Sequence, residues 1–245
     1  MQSTTSPTVA RRPRAFLRVS GPDAADYLQR MVSNDVEALA VGDACDALLL
    51  TAKARVIAPL RILRRAEGDF LLLTEPELGD RVRAELVRMR FAAEAEIEPE
   101  EHESWLVLGG DEVLDAQPAG EVVGEEELER WRIESGIPRW GREIDDRILP
   151  AEAGLDDTHI SFSKGCYPGQ EPIARQRYRG KVNRRLRVLD VDGQAKVGTE
   201  LILEGKTVGR ITSAVSGVAL GYVRVEVPDK ARLELAAQTG FARLR

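Results

Sequence analysis

The C-terminal region of the chain restricts the fold most strongly, because short strand-like segments follow one another there with turn signals between them. Leu186–Val191 alternates apolar and polar residues and leads into Asp192-Gly193, a typical turn pair. Glu204-Gly205-Lys206 separates two further apolar segments and predicts a hairpin. No segment of helical periodicity interrupts this region. We therefore expect residues 183–245 to form a small β-barrel.

The preceding region combines helix and strand patterns. An amphipathic helix is predicted by apolar residues at helical spacing, namely Ala24, Tyr27, Leu28, Met31 and Val32. Cys45–Thr51 and Val56–Leu63 predict two strands joined by a hairpin loop. This arrangement favours antiparallel pairing, so the predicted fold class is α+β, with a first region over residues 14–182 in two lobes. Met1–Arg14 lacks an apolar run and is expected to form a frayed terminus.

Charge and cysteine content exclude several function classes. The 245-residue chain has a formal net charge of −6, which argues against general nucleic-acid binding. Its cysteines are Cys45 and Cys166, so they cannot supply the four thiolates of an iron–sulfur cluster, and no metal site is predicted. No segment has the apolar length of a signal peptide or a membrane helix. The expected protein is cytoplasmic, monomeric and not bound to a membrane.

The stretch Ser163–Arg179 contains many side chains that can react or form hydrogen bonds, and Gly and Pro residues stand among them. Lys164 and Cys166 flank Gly165, and a cation beside a thiol raises the thiolate fraction. Lys164 and Cys166 are therefore candidate catalytic residues. Gly165 is expected to allow a close backbone approach or a positive φ. The alternative is a solvated turn that carries a half-buried cysteine.

A basic segment overlaps the end of this stretch. It contains cations and no acids, at Arg175, Arg177, Arg179, Lys181, Arg184, Arg185 and Arg187. Most of these residues are expected to form a solvated basic face. On an acidic protein, such a face can also concentrate an anionic ligand, and the planar guanidinium suits carboxylates.

One part of Ser163–Arg179 resembles a known family motif. Its residues are Lys164-Gly165-Cys166-Tyr167-Pro168-Gly169-Gln170-Glu171, followed by Ala174-Arg175. They resemble the motif of the YgfZ family, which comprises folate-binding proteins related to the glycine-cleavage T-protein, an aminomethyltransferase, and implicated in iron–sulfur cluster maintenance. The resemblance implies a T-protein-like fold with tetrahydrofolate or a derivative as cofactor. Gln170 would then contact folate, and Arg175 would meet its glutamate tail.

Two further segments resemble the wider superfamily and imply which other residues bind folate. Arg132-Ile133-Glu134-Ser135-Gly136-Ile137-Pro138 resembles the superfamily segment Arg-x-Glu-x-Gly-x-Pro, whose glutamate binds the pterin ring. Glu134 would accept two hydrogen bonds from that ring. Ser33-Asn34-Asp35-Val36 resembles a Thr-Asn-Asp-Val type segment, which implies that Asn34 faces the ligand. The alternatives are an exposed helix-end glutamate for Glu134 and a helix-ending turn for Asn34.

One departure from the superfamily predicts that a reaction is absent. The T-protein carries a Gly-Gly-x-x-Asp-Asp-Leu type segment after its second strand, and one of these aspartates is needed for the reaction. The matching residues here are Ala54-Arg55-Val56-Ile57-Ala58-Pro59-Leu60, so both aspartate positions hold residues that cannot ionise. A pocket without this carboxylate should bind folate without aminomethyltransferase activity.

These observations together predict a tetrahydrofolate-binding accessory protein of one-carbon metabolism. It would serve the assembly or repair of iron–sulfur enzymes, including tRNA-modifying ones, and an iron–sulfur client protein would be its partner. Two alternatives remain open at this stage. The first is a folate-dependent one-carbon transferase or demethylase, and the second is an interaction module that binds an iron–sulfur client or RNA without folate.

Overall fold

The computed structural model describes residues 6–180 and 182–245. The helices of this part of the chain are α1 (Ala24–Met31), α2 (Gly79–Met89), α3 (Glu125–Glu134) and α4 (Gln170–Arg179). The strands are β1 (Thr8–Arg11), β2 (Ala15–Ser20), β3 (Ala44–Leu50), β4 (Val56–Ala66), β5 (Asp69–Thr74), β6 (Glu96–Glu100), β7 (Ser104–Val107), β8 (Glu112–Leu114), β9 (Glu121–Val123), β10 (Arg184–Gly193), β11 (Glu200–Leu203), β12 (Lys206–Val215), β13 (Val218–Arg224), β14 (Arg232–Leu235) and β15 (Gly240–Leu244).

The chain divides into two compact units. Among the described residues, the barrel unit comprises 6–10, 120–154 and 182–245, and the sheet unit comprises 11–119 and 155–180. Each unit is therefore assembled from segments that are distant in sequence. The predicted boundaries, 14–182 and 183–245, stay predictions.

The barrel unit contains the predicted C-terminal barrel. Six antiparallel strands close in the order β10, β13, β12, β11, β14, β15. Leu189, Leu201 and Leu233 are fully buried in its core. The predicted hairpin is present, because Glu204 and Gly205 connect β11 to β12 with positive φ angles of 50° and 75°.

Helix α3 also belongs to the barrel unit. Ile133 packs with Val218 and Leu220 of strand β13, so the apolar side of the helix is fixed on the barrel. The next residue along, Glu134, ends the helix. The position of Glu134 is therefore set by helix packing within this unit.

The sheet unit contains a five-stranded antiparallel sheet in the order β3, β4, β5, β2, β6. The predicted amphipathic helix corresponds to α1, in which Ala24, Tyr27, Leu28 and Met31 are buried. Helix α2 packs against strands β2 and β6. Mixed helices, antiparallel strands and a closed barrel confirm the predicted α+β class.

The expectation of a frayed terminus before residue 14 is wrong for the described part of that segment. Thr8–Ala10 pairs in parallel with Glu121–Val123, and Val9 and Ala10 are buried. A strand this short gives no sequence signal when its partner lies more than a hundred residues away. Residues 1–5 and Lys181 of the basic segment lie outside the described residues. In the described part of the chain, no helix is long and apolar enough to cross a membrane.

Candidate functional site

Lys164 fixes the motif segment to the end of helix α1. Its ammonium donates hydrogen bonds to the carbonyl oxygens of Gln29 (2.5 Å), Val32 (2.7 Å) and Asn34 (2.9 Å). These three bonds use all the protons of the ammonium. The last carbonyls of a helix lack intrahelical partners and carry partial negative charge, so a lysine is well suited to this position.

Burial changes the acid–base behaviour of this lysine. Lys164 is 8% exposed. Burial lowers the pKa of its ammonium to about 8, although the charges of Asp35 and Glu37 oppose the shift. The structure gives Lys164 an anchoring position at α1, and its catalytic role stays a prediction.

Cys166 and Tyr167, which follow Lys164 closely, differ in burial. Tyr167 is 7% exposed, and its ring centroid lies 5.3 Å from the Lys164 ammonium nitrogen. Burial raises the pKa of the Tyr167 phenol to about 12. Cys166, in contrast, is exposed. The loop therefore holds its lysine and tyrosine inside the sheet unit and presents its thiol to solvent, and the reactivity of Cys166 stays a prediction.

Gly169 is the glycine on which the loop conformation depends. Its φ is +85°, and a Cβ atom at this position would lie 2.6 Å from the carbonyl oxygen of Thr51 and 3.1 Å from the Cα of Ala54. The motif segment therefore packs directly on the loop between strands β3 and β4. The expectation for Gly165 is wrong, because it has no positive φ and nothing lies within 4 Å of a Cβ placed there.

Helix α4 carries the predicted Gln170 and Arg175. Gln170 is the half-buried first residue of the helix, and Arg175 is exposed on it. The Arg175 side chain forms no hydrogen bond or ion pair with any described residue. Arg177 differs, because its guanidinium lies 3.9 Å from the centroid of the Phe162 ring and 3.6 Å from an Asp157 oxygen. Arg175 is thus available to an anion.

Asn34 has an internal hydrogen-bonding role. Its side-chain nitrogen donates to the carbonyl oxygens of Asp46 (2.7 Å) and Thr158 (3.2 Å). Its side-chain oxygen accepts a hydrogen bond from the backbone of Asp35 (2.9 Å). The amide therefore joins the segment after α1 to strand β3 and to residues before the motif. Its predicted contact with folate stays a prediction.

Asp46 has polar and charged neighbours that the sequence analysis does not predict. Asp46 lies opposite Arg61 in the β3–β4 pair, with 3.4 Å between the guanidinium and a carboxylate oxygen. The His159 ring bonds to the Thr158 hydroxyl (2.7 Å), and burial lowers the pKa of His159 although the Asp46 charge opposes the shift. The available signal was strand alternation, which places Asp46 on the sheet face opposite its neighbour Ala47.

Glu134 belongs to the barrel unit and is exposed. One carboxylate oxygen lies 3.4 Å from an Arg130 nitrogen, and the other accepts no hydrogen bond from a described residue. Two residues earlier, Arg132 is buried and donates to Glu143 (2.9 Å) and to the Ser213 hydroxyl (2.8 Å). The arginine of this segment thus has a structural role inside the barrel unit, and its glutamate has free acceptor capacity.

Residues 54–60, the stretch without an aspartate, form the end of the β3–β4 loop and the start of strand β4. Leu48 pairs with Pro59 and Leu49 with Ala58, and Ala58 is fully buried. Neither residue can accept or donate a proton through its side chain. The carboxylate of Asp46, on the neighbouring strand, occupies a different position of the sheet.

Comparisons with known proteins agree with the motif. Residues 183–243 match the family model of the CAF17 C-terminal β-barrel domain. The chain is 28% identical to the tRNA-modifying protein YgfZ of Edwardsiella ictaluri, over 69% of this chain and 66% of that protein. It is 27% identical to the human mitochondrial iron–sulfur cluster assembly factor IBA57, over 97% of this chain and 72% of that protein.

The fold is that of an aminomethyltransferase. The crystal structure of aminomethyltransferase T of the Bartonella henselae glycine cleavage system superposes with a TM-score of 0.84 at 19% identity, covering 98% of this chain and 85% of that one. The chain spans about half the length, 47%, of the Nostoc aminomethyltransferase to which it is 28% identical. The resemblance inferred from the motif is confirmed, and so is the predicted fold.

Proposed function

We propose that this chain, a homologue of the YgfZ and IBA57 proteins, binds tetrahydrofolate or a derivative and assists the assembly or repair of iron–sulfur enzymes. Tetrahydrofolate would supply a carrier for one-carbon groups. One relative is named as an iron–sulfur cluster assembly factor, which supports an iron–sulfur role. Another is named as a tRNA-modifying protein, which supports tRNA-modifying enzymes as clients. The proposed compartment is the cytoplasm, and the proposed partner is an iron–sulfur client protein.

The observation that carries the proposal is an aminomethyltransferase fold in which residues 54–60, the stretch that matches the aspartate-bearing segment, contain no aspartate. The fold supports a folate-binding ancestry. Ala58 and Pro59 stand at the two aspartate positions of this stretch. Neither supplies a carboxylate that could orient a reacting nitrogen or stabilise a developing positive charge. A protein of this kind would bind the cofactor and use it for a purpose other than aminomethyl transfer.

The residues present fit the chemistry of folate. Glu134 has an unoccupied carboxylate oxygen and only a 3.4 Å contact at the other, so it can accept paired N–H groups of a pterin. Arg175 presents an unpaired guanidinium that suits a carboxylate of the glutamate tail. Gln170 offers an amide at the start of α4. For Asn34 the fit is poorer, because binding through its amide nitrogen would compete with two existing hydrogen bonds.

The accessory role can be tested on a purified iron–sulfur enzyme that modifies tRNA. The enzyme is inactivated by oxidation, and its recovery is followed with and without this protein, each in the presence and absence of tetrahydrofolate. We expect recovery to be faster only when protein and tetrahydrofolate are both present. Recovery that is independent of folate would instead favour the interaction module, and no effect of the protein would remove the accessory role.

A folate-dependent transferase is the second candidate, because the chain resembles proteins with transferase names. It is 26% identical to a putative chloroplastic transferase of Arabidopsis thaliana, over 85% of this chain. A transferase would consume a small amine donor with folate as the acceptor. Formation of methylenetetrahydrofolate from such a donor would favour this candidate over the accessory role.

A further inference from the structure

The segment Arg12-Pro13-Arg14 places two guanidinium groups on one side of an extended chain. It leads into strand β2 of the sheet unit, and side chains two residues apart in an extended segment point the same way. The Arg12 backbone N–H donates to the carbonyl oxygen of Ser104 (2.9 Å), which fixes the segment on strand β7. The sequence reasoning did not single out either arginine.

Among the described residues, Glu112 lies within ion-pair distance of both arginines, and Arg14 forms the hydrogen bonds with it. Its Nε and Nη2 atoms each donate a 2.8 Å hydrogen bond to Glu112, one to each carboxylate oxygen. The Ser104 hydroxyl donates to the same carboxylate at 2.5 Å. The side chains of Arg14 and Glu112 are 9% and 3% exposed, so this pair is almost completely enclosed.

Arg12 is left without a hydrogen-bond acceptor for its guanidinium in the described residues. Its nearest acid is again Glu112, and the Nη1 to Oε2 distance of 3.6 Å is too long for a hydrogen bond. The other acids that face Arg12 are Glu75 and Asp46, and neither forms an ion pair with it. Its side chain is 29% exposed, so part of it can be reached from solvent.

The charge balance at this position is unfavourable for Arg12. Burial, followed by the neighbouring charge of Arg14, lowers the pKa of the Arg12 guanidinium to about 10, and Glu112, Glu75 and Asp46 offset this only in part. A cation that is largely buried without a hydrogen-bonding partner costs folding free energy. Residues that cost stability in this way are typical of binding sites.

We propose that Arg12 is the anchor of an oxyanion site in the sheet unit, which binds a carboxylate or phosphate group through the paired N–H donors of its guanidinium. The planar fork of an arginine matches two oxygens of such a group. Glu75 and Asp46 face the site and would repel a highly charged anion, so singly or doubly charged groups fit best. The site does not depend on the proposed folate binding.

The test measures thermal unfolding of the full chain at pH 7.5 in inorganic phosphate, in glutarate and in chloride, at equal ionic strength. At ten times the dissociation constant, we expect a bound anion to raise the midpoint by about 3–6 °C. The shift should be lost in Arg12→Gln. It should persist in Arg11→Gln, a matched control that removes the same charge from a neighbouring residue whose side chain is 64% exposed.

The two anions distinguish the possible sources of the ligand. A shift with phosphate alone assigns the site to phosphate groups, and a shift with glutarate assigns it to carboxylates such as those of a folate tail. No shift in the wild type, or equal shifts in all three proteins, would overturn the proposal.

A second measurement separates binding from a structural role. Without added anion, Arg12→Gln should unfold at the same temperature as the wild type or at a higher one, because an unfavourable charge has been removed. A midpoint several degrees lower would mean that Arg12 serves to hold Glu112, and would equally overturn the oxyanion site.

Discussion

The two cysteines differ in their environment and should differ in reactivity. Cys166 is exposed on the motif loop. Cys45 is half-buried on strand β3, where burial and the Asp46 charge raise the pKa of its thiol to about 11. At pH 8, iodoacetamide should therefore label Cys166 of the native protein at least tenfold faster than Cys45, because the thiolate is the nucleophile. Mass spectrometry of timed samples measures both rates, and labelling of Cys45 first would contradict the described loop.

Glu134 is the residue proposed to bind the pterin ring of folate. Glu134→Gln should weaken tetrahydrofolate binding tenfold or more, because a charge-assisted bidentate acceptor contributes about 1.5–3 kcal/mol. Calorimetric titration measures the change. Glu127→Gln, an exposed glutamate at the start of the same helix, is the control and should leave the affinity unchanged. Equal affinity in a folded Glu134→Gln protein would remove Glu134 from the site.

Residues that stand in a local motif could be singled out as site candidates from the sequence. Residues whose role depends on long-range pairs could not. Glu134 and Cys166 stand in recognisable segments. The partners of Lys164 lie 130–135 residues earlier, and Glu112 is 98 residues from Arg14. Nothing local in the sequence specifies such pairs, so the anchoring position of Lys164 and the missing hydrogen-bond acceptor of Arg12 can be seen only in the structure.

At the scale of elements, one side chain joins helix α1 to the motif loop. Lys164→Met should lower the free energy of unfolding by about 2–4 kcal/mol, because three buried carbonyls lose a charged donor. Lys53→Met, at an exposed lysine of the β3–β4 loop, should change it by less than about 0.5 kcal/mol. Denaturant unfolding compares the variants, and similar values for both would deny the anchoring role of Lys164.

The packing of the motif on the β3–β4 loop depends on Gly169. Gly169→Ala should destabilise the protein by about 2–4 kcal/mol, since it combines a positive φ with a Cβ placed 2.6 Å from the Thr51 oxygen. Gly165→Ala is the matched control, because open space surrounds that position, and it should be nearly neutral. If the two alanine variants unfold alike, the motif segment does not pack on the loop as described.

Elements with a strong local pattern were predictable, and those without one were not. Helix α1 and the barrel hairpins follow from periodicity and turn residues that lie within a few positions of each other. Strand β1 has only four residues, and its burial depends on pairing with β9, more than a hundred residues further along the chain. The sequence therefore specified the fold class and the barrel, while the first strand was mistaken for a frayed end.

For the whole molecule, an aminomethyltransferase fold is combined with a stretch, residues 54–60, that contains no aspartate. The chain has the fold of an aminomethyltransferase, is similar in sequence to proteins named for tRNA modification and iron–sulfur assembly, and has a C-terminal region that matches the CAF17 barrel model. The absence of an aspartate from residues 54–60 is the reason why we propose folate binding without aminomethyl transfer. The central claim is therefore that this chain binds tetrahydrofolate and does not perform that transfer.

One titration tests this claim most directly. Tetrahydrofolate is titrated into the full chain in a calorimeter, and the saturated complex is then supplied with an aminomethyl-lipoyl carrier while methylenetetrahydrofolate and ammonia are followed. The account predicts saturable binding and no turnover. Absence of binding heat, or turnover at about 1 s⁻¹ or faster as is usual for enzymes, would contradict it.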